Sequence, residues 1–211
     1  IAPGVLPIGI IGGPPCQGFS KANTQRSHDD PRNKLAKNYT KLINGLAEIY
    51  PIEFFLFENV SGLLSDGNAK VLTSLKRTLA SKFTVASSCL NAQDFGVPQS
   101  RERFLMVGLR KRQPKRKFVF PSPIDAPLAT VRDAIANLPE PTFFNRALTP
   151  ADIPHHPNHW TMRPLSRRFG PDLVTTGRSL IRLNWDKPSR TVAYGHREIH
   201  VHPNGMRRLS I

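Results

Sequence analysis

The chain has 211 residues, 39% hydrophobic and 21% charged, enough apolar material for one large domain or for a catalytic domain with a smaller companion. No apolar run approaches the ~20 residues of a membrane-spanning helix, and no secretory signal is visible. Lysine and arginine number 30 against 15 aspartate and glutamate, a net charge of +15 that points to a polyanionic partner, nucleic acid foremost. A basic surface with no partner is the plainer alternative. The excess is uneven: 13 basic and 8 acidic residues fall in 1–110, 17 and 7 in 111–211. Cys16 and Cys89 form no Cys-x-x-Cys pair, which excludes a cysteine zinc site and fits thiols in a reducing compartment.

Residues 1–110 have an α/β texture. Val5–Ile11 is a short strand candidate, followed by a Gly/Pro turn and a long polar loop through Asn33. From Lys34, Leu35, Tyr39, Leu42, Leu46 and Ile49 recur at helical spacing, and Pro51 ends the pattern. "EFFLFENV" (53–60) predicts a buried strand, and 66–81 a second amphipathic helix through Val71, Leu72, Leu75 and Leu79. "FTVASSCLN" and "RFLMVGLR" predict two further strands around a Gly-Val-Pro turn. Strands alternating with helices imply a mostly parallel sheet covered on both faces. Near Arg110 the texture changes to a basic run, "RKRQPKRKF", and frequent proline through Pro164. One short helix, "TVRDAIANL", is expected there, with Thr130 as N-cap and Asp133 reaching back.

Three places suggest chemistry. In "GGPPCQGFS" (12–20), Cys16 sits at a rigid corner just past a strand end, where α/β sheets bind ligands. A Gly/Pro turn holding a buried cysteine is at least as common. In "FENV", Glu58 ends an apolar strand, where apolar walls would raise its pKa and suit it to donate a proton. The plain alternative is a strand-end glutamate paired with an arginine. In "PQSRER", Gln99, Arg101 and Arg103 alternate, so one extended segment would place all three on one face, able to hold a carboxylate or a carbonyl oxygen. The histidines of "HHPNH" (155–159) and His196, His200 and His202 lack matching cysteines or a clear carboxylate partner, so no metal is expected. Gly12 and Gly13 are not followed by Gly-Lys-Ser/Thr, which rejects a phosphate loop.

Taken in order, "PPCQGFS", "DPRNKL", "FFLFENVSGLL", "LNAQDFGVPQSRERFLMVG" and the tail "KPSRTV…HPNGMRRLSI" resemble the DNA cytosine-5 methyltransferase family, densely over 5–110 and more loosely over 186–211. The resemblance implies an S-adenosylmethionine-dependent, Rossmann-like mixed α/β sheet, incomplete here, with a small irregular target-recognition region. It divides the chain into a partial catalytic core (1–110), that recognition region (111–185) and a return segment (186–211). It implies that Cys16 adds to cytosine C6, that Glu58 contacts N3 and the exocyclic amine, and that Arg103 holds O2 and orients Glu58 with support from Arg101. Gln17, Ser20, Asn59 and Gln99 would bind substrate, while Pro15 and Leu35 would line the S-adenosylmethionine site. The cytosine would be flipped out of double-stranded DNA, and the polar stretch 20–32 would close over it. Arg163, Arg167, Arg168, Arg178 and Arg182 would contact phosphates or bases.

The family's Gly-rich cofactor-binding segment and its closing C-terminal segment are not found. The resemblance therefore implies a complementary polypeptide or missing segments in cis, with an unpaired sheet edge and apolar surface exposed without them. It further implies a bacterial modification enzyme, cytoplasmic and nucleoid-associated. The competing readings are a non-catalytic DNA-binding subunit of the same fold, an RNA cytosine-5 methyltransferase and, more distantly, a thiol hydrolase.

Overall fold

The structure, a computed structural model, describes residues 4, 6–15, 33–112, 116–175, 179–192 and 199–210. They fall into two compact units: 1–91 with 102–123, and 92–101 with 124–211.

In the first unit the apolar run that opens "FFLFENV" becomes strand β2 (Phe54–Val60), whose burial alternates: Phe55, Phe57 and Asn59 are buried and the alternate residues partly exposed. The sheet runs β1 (Gly9–Gly12), β2, β5 (Glu102–Arg110), β3 (Phe83–Asn91). β1 and β2 are parallel, joined through helix α1 (Asn33–Ile49); β2–β5 and β5–β3 are antiparallel. The expectation of a mostly parallel sheet is therefore corrected to a mixed one. β3 returns to β5 through 92–101 with no α-helix between them, and a connection without a crossover reverses the chain.

One face of this sheet holds the core. Phe55, Phe57, Phe83, Phe104 and Met106 cluster with Ala36, Ile43 and Ala47 of α1 and with Leu75 and Leu79 of helix α2 (Ala69–Leu79). Both helices thus join a single core, while Leu6, Ile8 and Ile11 are exposed, so the expected cover on both faces is not seen among the described residues. Helix α1 buries a different stripe from the one its large residues suggest. Ala36, Thr40, Ile43 and Ala47 face inward, whereas Leu35, Leu42 and Ile49 are exposed. Small side chains let the helix approach the phenylalanines, and the buried Thr40 hydroxyl is satisfied by donating to the Lys37 carbonyl at 2.8 Å. Across the sheet Phe55 opposes Gly108, and a β carbon at Gly108 would lie 2.0 Å from the edge of the Phe55 ring.

The second unit is built of two-residue strands: β4 (Gln99–Ser100) with β9 (Ser189–Arg190), β6 (Thr142–Phe143) with β7 (Trp160–Thr161), and β8 (Ile181–Arg182) with β10 (His200–Val201). Frequent proline removes the N–H donors that longer ladders need. Helix α3 (Val131–Ile135) has the expected reciprocal cap: the Asp133 N–H donates to the Thr130 hydroxyl, and the Thr130 N–H donates to the Asp133 carboxylate. Side chains tie the loops together. The Arg182 guanidinium donates to the carbonyls of Pro171, Leu173 and Pro203, and buried Arg207 pairs with Glu140 through two bonds of 2.7 and 3.2 Å. His202 packs edge-on to Trp185 at 5.1 Å and accepts the Asn204 N–H through Nδ1.

Phe57 contacts the rings of Tyr39 (5.9 Å) and Phe104 (6.4 Å). Phe57→Ala is expected to cost about 3–5 kcal/mol of stability by leaving a cavity, read by chemical denaturation. Burial, with Arg207 second, lowers the His202 pKa below its ordinary value. The unfolded chain therefore takes up a proton that the folded one refuses. The stabilising contribution is complete above about pH 6.5 and is lost as pH falls from there through the folded value. Thermal midpoints should fall between pH 7.5 and 5.5, and less so in His202→Phe; an unchanged slope in that variant would contradict this.

Candidate active site

The alternation that sends Phe57 and Asn59 into the core sends Glu58 and Val60 to the opposite face of β2. In register, Leu105 opposes Glu58 and Arg103 opposes Val60, which makes Arg103 the diagonal neighbour of Glu58 on that face. The Arg103 Nε lies 2.9 Å from Glu58 Oε1, with the side chains 23% and 39% exposed. Such a pair stabilises by only about 0–1 kcal/mol. Its larger effect is to orient the carboxylate. Nη1 of Arg103 also donates to the Glu102 carbonyl at 2.7 Å, which holds the guanidinium plane. Glu58 is therefore not walled in by apolar groups, as the sequence suggested, but ion-paired and accessible.

The strand end also holds the turn that follows β1. Asn59 is 2% exposed; its amide donates to the Pro14 carbonyl at 3.2 Å, and its side-chain oxygen accepts the Val60 N–H at 3.0 Å. Gly13 lies against the carboxylate: a β carbon there would sit 2.7 Å from Glu58 Oε2. Two adjacent residues of the turn, Gly13 and Pro14, are thus fitted to two adjacent residues of β2. The sequence marked Gly13 only as part of a rigid Gly/Pro corner and of a rejected phosphate loop, and Asn59 only as a substrate contact; it did not show that Gly13 admits the Glu58 carboxylate or that Asn59 turns inward. A glycine between a strand and a Pro-Pro step was the one available hint.

The other expected residues are placed differently. Gln99 lies in β4 of the second unit, while Arg103 lies in β5 of the first, with Arg101 between the two strands. The single alternating segment expected for Gln99, Arg101 and Arg103 is thus divided between two sheets, because β4 bonds to β9 and β5 to β2 and β3. The backbone carbonyl of Arg101 accepts the Ala92 N–H at 3.0 Å. Pro15 and Leu35 are both exposed, which leaves their apolar surfaces available to a ligand. Cys16, Gln17, Ser20, the stretch 20–32, Arg178 and His196 lie outside the described residues. Among the described residues no three His, Cys, Asp or Glu side chains gather as a metal site, and no helix is long and apolar enough to cross a membrane. His159 is instead bonded to the Pro139 carbonyl (3.0 Å) and the Ser210 hydroxyl (3.2 Å).

Comparison with known proteins identifies the family of the chain. The chain is 36% identical over 210 residues to the type II methyltransferase M.MthTI of Methanothermobacter thermautotrophicus, covering 97% of this chain and 59% of that protein. It is 34% identical over 207 residues to M.FnuDI, a type II methyltransferase of Fusobacterium nucleatum, covering 96% and 57%. The chain therefore spans less than three-fifths of the length of these relatives. A crystal structure described as a prophage-encoded DNA modification methyltransferase of E. coli superposes with a TM-score of 0.68 at 22% identity, over 98% of this chain and 66% of that one, a likeness of fold. The family model described as C-5 cytosine-specific DNA methylase matches residues 7–210, and the chain belongs to that family.

Proposed function

We propose that these residues form the cytosine-binding part of a DNA methyltransferase that transfers a methyl group to C5 of a flipped-out cytosine in double-stranded DNA. The observation that carries this reading is the Glu58–Arg103 pair, exposed at the end of β2 and pressed against the turn that leads to Cys16. A carboxyl group beside a guanidinium matches one edge of cytosine, with Glu58 meeting N3 and the exocyclic amine and Arg103 meeting O2.

Cytosine C5 is a poor nucleophile. In this mechanism the Cys16 thiolate forms a bond to C6, and the electron pair of the 5,6 double bond is displaced into the ring. Glu58, which would take up a proton when cytosine binds, donates it to N3 as charge develops there and recovers it on elimination, an interaction stronger in the transition state than in the ground state. C5 would then bond to the methyl group as the methyl–sulfonium bond of the donor breaks, with the donor leaving as the neutral thioether. A base, for which water suffices, removes the C5 proton, and elimination of the thiolate restores the double bond. S-Adenosylmethionine supplies the electrophilic methyl group when bound, and the exposed faces of Pro15 and Leu35 fit its apolar portions. C6 is out of reach in a stacked duplex, so extrusion of the base is part of the proposal. The stretch 20–32 would close over it, 111–185 would supply target recognition and 186–211 would return toward the catalytic core. Gln17, Ser20 and Gln99 would contact substrate. Asn59 acts through Pro14 as a positioning residue. The similarity to other methyltransferases does not support a complementary polypeptide.

The test is transfer of labelled methyl groups from S-adenosylmethionine to unmethylated duplex DNA by the complete protein that carries these residues. Labelled 5-methylcytosine is expected, and it should vanish in Cys16→Ser. Label that persists in that variant, or that enters RNA and not DNA, would overturn the proposal. Gly13→Ala should push the carboxylate away from Arg103 and slow turnover by about 100-fold while leaving the thermal midpoint nearly unchanged. Asn59→Ala leaves the Pro14 carbonyl and the Val60 N–H without their partner, a loss of about 1–3 kcal/mol that denaturation would show.

A further inference from the structure

Side chains reach the turn after β1 from two faces. Gly12 closes β1 and Gly13 follows it, and successive residues of an extended chain point to opposite sides. At Gly13 the space of the absent side chain is taken by the Glu58 carboxylate. At Gly12 it is taken by Tyr39 of α1: a β carbon there would lie 2.7 Å from Tyr39 Cζ, with the phenol oxygen nearer still. One glycine thus admits a side chain from the helix face, the other from the face of the Glu58–Arg103 pair.

A core aromatic accounts for the ring of Tyr39 but not for its hydroxyl. The ring packs on Phe57 at 5.9 Å, a contact that phenylalanine would make equally well. The residue is half-buried, and burial raises its pKa above the ordinary phenol value, so the hydroxyl stays protonated. Its one acceptor among the described residues, the Leu56 carbonyl, lies at 3.5 Å, the outer limit of a hydrogen bond. The hydroxyl therefore gives up water for little hydrogen-bond energy. What it makes instead is the close approach to Gly12, two residues before Pro14, whose carbonyl Asn59 holds. Gly12, Gly13 and Pro14 in succession thus meet Tyr39, Glu58 and Asn59.

We infer that Tyr39 is a positioning residue for methyl transfer: its hydroxyl backs the turn from the helix face, so that the turn cannot retreat from the Glu58 carboxylate. This rests on the proposed cytosine-binding role of Glu58, and it deepens that role by supplying the support on the far side of the turn. A carboxylate held by Arg103 on one side and facing a loose backbone on the other would sample orientations that miss the edge of the base.

The experiment is steady-state methyl transfer from S-adenosylmethionine to duplex DNA by the complete protein, with thermal midpoints measured alongside. Tyr39→Phe keeps the ring on Phe57 and should lower kcat by about 10-fold, since a displacement of about 1 Å near the reacting groups can cost about 100-fold. KM for DNA and for S-adenosylmethionine should stay within about twofold, and the midpoint should be nearly unchanged. Gly12→Ala should also slow turnover, because its methyl group meets the hydroxyl. Combining the two should recover most of the lost kcat, since the alanine methyl then takes the place of the oxygen; such a rescue separates support of the turn from loss of folding. Full kcat in Tyr39→Phe would overturn the inference alone. So would a loss that appears in KM and not in kcat, a loss matched by a fall in the midpoint, or a double variant no faster than the slower single one. Absence of methyl transfer by the unmutated protein would overturn the reading of Glu58 and this inference with it.

Discussion

Strand β2 must satisfy two demands with one alternation. It is an inner strand, paired on one side with β1 and on the other with β5, and its Phe55 and Phe57 are the centre of the first unit's core. A side chain one residue later points the opposite way. Burying the phenylalanines therefore forces Glu58 onto the face it shares with Arg103, and buries Asn59 where it meets Pro14. A slip of one residue in register would put the carboxylate in the core and two aromatic rings in solvent. The core's aromatic packing is in this sense what holds the acid in place.

The turn after β1 is secured by the same strand end. Gly13 allows the Glu58 carboxylate to approach the backbone, and Asn59 fastens the next residue. The acid and the segment entering the Cys16 corner are thereby referenced to one rigid element. A turn held this way resists drift, because moving it would break a buried hydrogen bond.

The second unit solves a different problem. Its prolines prevent long ladders, and its loops are fastened by side chains acting on backbone: Arg182 on three carbonyls, Arg207 on Glu140, His159 between Pro139 and Ser210. Arginines are used there both as fasteners and as surface charge. Arg132 faces both the Asp186 carboxylate and the Trp185 ring, while Arg163 and Arg208 face the rings of Phe143 and Phe169.

Much of this was legible in the sequence wherever the cause is local. The apolar run of "FFLFENV", the helical spacing before Pro51 and the Thr130–Asp133 cap are settled by neighbours within a few positions, and each forms an element where expected. The motifs likewise marked Glu58 and Arg103, although their spacing could not say that the two meet diagonally across β2 and β5. Other features depended on residues far away in the chain. Strand direction followed from whether a crossover helix intervened. The buried stripe of α1 was chosen by how closely Ala36 and Ala47 let it approach the sheet, so Leu35, Leu42 and Ile49 stayed outside. Residues 99–103 were divided between two sheets by their separate partners. The sequence by itself determined the local periodicities and the chemical inventory, since both are set by side chains close along the backbone. Only the tertiary structure decided which faces are buried, which arginines are neutralised and what Gly13 and Asn59 hold, because each of those depends on a contact between residues that the chain order keeps apart.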